Sequence, residues 1–80
     1  MSYMFEVYYR LPHDPEKEKA LTQRVAGLGG RLDYREPSQS KARGSICLTF
    51  EFGRREEAEA AARVLREQGE HVEGPVDYGE

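Results

Sequence analysis

Ser45-Ile46-Cys47-Leu48-Thr49-Phe50-Glu51-Phe52 alternates without a break. Ile46, Leu48, Phe50 and Phe52 fall on one side; Ser45, Cys47, Thr49 and Glu51 fall on the other. A period of two sustained over this length is a β-strand with one buried face. Gly53 ends it, and the period then changes. From about Arg54 to Gln68, Ala58, Ala61, Ala62 and Leu65 recur at helical spacing and form a small-residue stripe. Such a stripe lets a helix sit close to a sheet. Glu56, Glu57 and Glu59 lie towards the start of this helix, with Arg63 and Arg66 nearer its end, as the helix dipole favours. Gly69 stops it.

Upstream, the same two periods occur in the same order. Met4–Leu11 alternates Phe5, Val7, Tyr9 and Leu11 against Glu6, Tyr8 and Arg10, and Pro12 ends the strand. Asp14-Pro15-Glu16 opens a helix, with Asp14 as N-cap and Pro15 in the first turn, where its missing N–H leaves no gap. Leu21, Val25 and Leu28 form its buried stripe, and Gly29-Gly30 supplies the stop. Arg31–Glu36 is a short strand that places Leu32 and Tyr34 on one face. Residues 37–44 are a polar loop, and His71–Tyr78 is a last strand interrupted by Gly74-Pro75.

The order is therefore βαββαβ. Two right-handed βα crossovers joined by a hairpin give an α+β sandwich: an antiparallel sheet of order 4-1-3-2 with both helices on one face, the ferredoxin-like α/β plait. The prolines agree with this order. Proline cannot donate to a strand ladder and belongs at edges. Pro37 and Pro75 fall on the two strands that the topology puts at the edges, whereas the central strands are proline-free. The topology also brings the end of the first strand, the 37–44 loop and the start of the last strand to one end, beside the first helix start.

Eighty residues read as a single domain, 1–80. A chain of this length buries only about 60–65% of the surface that its unfolded form exposes. Cover from a second copy or a partner would add stability. With 38% apolar and 34% charged residues, the profile is that of an ordinary soluble domain. The net charge is −3 with both signs interleaved, which disfavours free nucleic acid. No apolar run approaches a membrane span, and the first residues lack the pattern of a signal peptide. The lone Cys47 leaves no internal disulfide. These features point to a cytoplasmic protein, and the Arg/Glu/Ala/Gly-rich composition to a GC-rich bacterium.

Residues 43–65 resemble the second half of an RNA-recognition motif. In that family a basic residue and a glycine lead into the third strand, whose outward aromatics stack on bases. Arg43, Gly44, Leu48 and Phe50 match this pattern, and Val7-Tyr8 resembles the partner motif, with Tyr8 as one stacking platform. The two stacking positions of the third strand fall on Ser45 and Cys47, which carry no ring. The resemblance implies the shared fold and makes RNA binding one reading to weigh. Other families of the fold can be checked residue by residue. An acylphosphatase needs a positioned asparagine, and the chain contains none. A copper chaperone needs Cys-x-x-Cys, and a ferredoxin needs four cluster cysteines.

Two surfaces carry candidate chemistry. The loop end holds His13, Lys41, Arg43 and His71 as candidate ligand-binding residues, with Ser38 and Ser40 nearby. A helix start with basic side chains around it can hold a small anion, although Asp14 and Pro15 both work against that. Two histidines without a carboxylate or thiolate set fall short of a zinc shell, so no metal and no other cofactor is expected. The open face of the sheet holds Glu6, Tyr8, Arg10, Asp33, Arg35, Cys47, Thr49 and Glu51 as candidate interface residues, together with Arg31. Tyr and Arg are the types enriched at interfaces. Cys47 reads as a small filler.

The leading expectation is a non-enzymatic binding domain that works as a homodimer or with another protein, through the open face or an edge strand. An alternative is a regulatory module like the ACT domains, which share the topology and bind small ligands between copies; the glycine such domains carry after the first strand is missing here. A small acid–base enzyme using His13 or His71 lacks a nucleophile and an orienting group.

Overall fold

Alternation and helical periodicity both find their faces in the computed structural model, which describes residues 2–36 and 44–78. The elements are β1 (Ser2–Arg10), α1 (Pro15–Gly27), β2 (Gly30–Glu36), β3 (Ser45–Phe52), α2 (Arg55–Glu67) and β4 (His71–Tyr78). The strands form one antiparallel sheet in the order β2-β3-β1-β4. This is the expected 4-1-3-2 order read from the other side, and it makes β2 and β4 the edges. Pro75 lies on edge strand β4; Pro37 falls outside the described residues. No helix among the described residues is long and apolar enough to cross a membrane.

The core lies between the sheet and the helices. Phe5, Val7 and Tyr9 of β1 and Ile46, Leu48, Phe50 and Phe52 of β3 meet Ala58, Ala61, Ala62 and Leu65 of α2. The three alanines are fully buried, so α2 approaches the sheet as its stripe requires. Helix α1 buries less, through Leu21 and Val25, with Leu28 partly covered. Its start is built as the sequence demands: the Asp14 carboxylate accepts from the backbone N–H of Lys17 at 3.1 Å, with Pro15 following.

Two irregularities change which residues share a face. In β2 the register with β3 shifts between Leu32 and Tyr34. Arg31 lies opposite Glu51 and Leu32 opposite Phe50; beyond the shift, Tyr34 lies opposite Thr49 and Arg35 opposite Leu48. Directly opposed residues share a face. Leu32 and Tyr34 therefore do not point the same way, and Arg35 is not on the open face. It stands on the helix side and reaches Glu18. The reason is a bulge at Asp33, since one extra residue inverts the alternation beyond it. In β4 the register shifts at Gly74-Pro75, between the pairs Glu6–Glu73 and Met4–Val76, and Gly74 takes φ 107°. This shift returns Val76 to the open face.

Both edges are protected. The bulge breaks the run of β2. On β4, Arg66 of α2 donates Nη2 to the carbonyl of Val72 at 3.1 Å and to that of Gly74 at 2.7 Å, and Pro75 has no N–H. An incoming strand would have to displace the guanidinium. Arg66→Ala should therefore lower stability by about 1 kcal/mol and raise the concentration-dependent mass above that of the wild type. Light scattering and a urea melt check both, and unchanged values in the two would contradict the edge role.

Candidate functional site

The open face is built from rows of opposed residues. One row runs Tyr34, Thr49, Glu6 and Glu73 across the four strands. The next, towards the loop end, runs Glu36, Cys47, Tyr8 and His71. On the other side lie Arg31, Glu51, Met4 and Val76. Arg10 stands opposite Ser45 at the loop end. Of the expected interface residues, Glu6, Tyr8, Arg10, Cys47, Thr49 and Glu51 are on this face; Asp33 is at the bulge and Arg35 is on the other side. Tyr34, Val76, Met4, Glu36 and Glu73 join them. The signal for Val76 was Gly74-Pro75 inside a strand pattern, a usual mark of a bulge.

Contacts within the face are local. Tyr8 donates its hydroxyl to Glu6 Oε1 at 2.9 Å, and its ring meets that of His71 edge-on, with centroids 5.6 Å apart. Burial and the Glu6 carboxylate push the Tyr8 phenol well above its ordinary range, so it is a neutral donor at physiological pH. His71 Nε2 lies 2.8 Å from Glu73 Oε2. Arg31 donates Nε to Glu51 at 3.0 Å, and that hydrogen bond holds the Glu51 carboxyl below its ordinary value. Cys47 is only 2% exposed, and burial raises its thiol. A covered, protonated thiol is not a nucleophile. By contrast Tyr34 and Val76 are 58% and 51% exposed.

The loop end divides by face. Leu11 donates its backbone N–H to the Gly44 carbonyl at 3.0 Å, and Lys17 Nζ lies 3.1 Å from Glu70 Oε1, so three separate segments do meet there. His13 and His71, however, are not brought together. His13 faces Glu18 of α1 with Nε2 3.6 Å from Oε2, while His71 stands across the sheet against Tyr8. Lys41 and Arg43 lie outside the described residues. Asp14 occupies the helix start, and the carboxylate of Glu18 faces His13. Among the described residues no three of His, Cys, Asp and Glu are grouped to hold a metal ion.

Glu18 is the centre of a cluster that periodicity could not reveal. It accepts from Arg35 Nε at 2.7 Å and Nη2 at 3.2 Å, and from the hydroxyl of Tyr9, which in turn accepts from the Asp14 N–H at 3.0 Å. Burial raises the Glu18 carboxyl, but the Arg35 and Tyr9 hydrogen bonds outweigh it and leave the group below its ordinary value of 4.5. A depressed carboxyl contributes stability above the unfolded value, and that contribution is lost as pH falls through the folded one. Glu18→Gln should therefore lower stability at neutral pH and flatten its decline on acidification below 4.5. Urea midpoints measured against pH check this; parallel curves for the two proteins would remove Glu18 as the cause. The cluster ties the bulged end of β2 to α1, a structural role.

No family model, no curated protein and no solved structure matches the chain. The geometry of the faces therefore carries the functional argument.

Proposed function

We propose that this chain is a non-enzymatic binding domain that acts through the open face of its sheet on a protein surface. One observation carries the proposal: the helices cover one face, both edges are protected, and the uncovered face presents Tyr34 and Val76 at 58% and 51% exposure. An aromatic and an aliphatic side chain standing on a polar sheet are what a docking partner covers. Strand addition at an edge is less well supported, because the Asp33 bulge and Arg66 both oppose it. A cytoplasmic location fits the free thiol of Cys47, which has no disulfide partner in the chain.

Selection of displayed peptides on the folded protein tests this. Recovered peptides should bind the wild type and lose binding to the double variant Tyr34→Ser/Val76→Ser, while Arg63→Glu on the outer side of α2 leaves binding intact. Peptides that bind the face variant as well as the wild type would sink the proposal. Both altered side chains are exposed, so the variant should keep the fold.

A further inference from the structure

Among the described residues paired in rows on the open face, the charges are not balanced: Glu6, Glu36, Glu51 and Glu73 stand against Arg10 and Arg31. Arg31 is committed to Glu51, and Arg10 stands at the loop end. Between them, Glu6 and Glu73 are directly opposed across β1 and β4. Opposed like charges weaken a sheet. Among the described residues, the Tyr8 hydroxyl reaches Glu6 and the His71 imidazole reaches Glu73, and neither is a permanent cation. The adjacent row places Met4 opposite Val76, an apolar pair beside the acidic one. A carboxylate pair next to an apolar pair suits a long basic side chain, with its charge on the former and its methylene stem on the latter.

We infer that the open face takes a basic protein segment, with a Lys or Arg side chain seated between Glu6 and Glu73 and its stem along Met4 and Val76. The inference rests on the proposed role of this face and adds the chemistry of the partner. A second copy would bring a further uncompensated Glu6–Glu73 pair to the interface. A nucleic acid would bring phosphates to the same carboxylates. The protected edges direct the segment across the face instead of alongside it.

The test uses amide chemical shifts of the whole chain, titrated with three capped hexapeptides that alternate Thr with Lys, Glu or Val. The Lys/Thr peptide should move the amides of Glu6, Tyr8, Glu73 and Val76, and the Glu/Thr peptide should move none. Glu6→Gln/Glu73→Gln should weaken the Lys/Thr peptide about tenfold or more, because its cation then loses both partners. Glu73→Lys should abolish that binding yet raise the melting temperature by a few degrees, since it replaces a repulsive cross-strand pair with an attractive one. A merely structural Glu73 would lower it. Lys/Thr shifts that are absent, or that persist unchanged in Glu6→Gln/Glu73→Gln, overturn the inference. If only the Val/Thr peptide moves the same amides, the basic partner is wrong and the docking face stands. If no peptide moves them, both readings fail. A wild-type dimer meeting through this face overturns the basic partner in favour of a second copy.

Discussion

Phe50→Ala is expected to cost about 3–5 kcal/mol, against a total of about 4–12 kcal/mol for a domain of this size. Phe50 is fully buried on central strand β3, opposite Phe5 on one side and Leu32 on the other. Its ring centroid lies 5.9 Å from that of Phe5, and Phe5 in turn lies 5.3 Å from Phe52. Removing one end of this group leaves a void that α2 cannot close, because its alanine stripe already sits against the sheet. The urea midpoint should fall by about a quarter or more with little change in slope. Phe50→Leu keeps most of the volume and should cost about 1 kcal/mol. Similar midpoints for the two variants would mean that the core collapses around the vacancy.

Gly30→Ala should destabilise the protein by about 1–3 kcal/mol, although alanine in place of glycine normally stabilises by restricting the unfolded chain. The cause is contact, not backbone conformation: Gly30 is not among the glycines of positive φ. A Cβ there would lie 2.5 Å from the nearest atom of the Phe52 ring, which is itself buried and opposite Gly30 in the ladder. Gly53→Ala is the control, since a Cβ there meets nothing within 4 Å. Thermal or urea melts of the two variants decide the matter. A stabilised Gly30→Ala would show that the Phe52 ring moves aside freely.

Gly30 illustrates how far local reading reaches. Beside Gly29 it reads as part of a helix stop, and Gly29 does take φ 101° there. The need for glycine at position 30 comes instead from a phenylalanine twenty-two residues later in the chain, met only across the β2–β3 ladder. The candidate site divides in the same way. Glu6, Tyr8, Arg10, Cys47, Thr49 and Glu51 keep the face that alternation assigns them, because β1 and β3 pair with each other without a shift. Arg35 and Tyr34 exchange faces because the Asp33 bulge inserts one residue. Arg-Leu-Asp-Tyr-Arg contains no glycine or proline to announce it.

By itself the sequence determined the element order, the sheet order and most of the core, although Leu11 and Leu32, read as inward-facing, stand 42% and 38% exposed. Those depend on periodicity and on the chain connections, which are local or topological. Tertiary structure decided which side chains meet. It paired Arg35 with Glu18, separated His13 from His71, set Glu6 opposite Glu73 and laid Arg66 over the edge of β4. The physical reason is that a strand's alternation is relative. Each bulge resets it, and where a bulge falls is settled by the packing of the whole sheet against its helices and not by the residues of the strand alone.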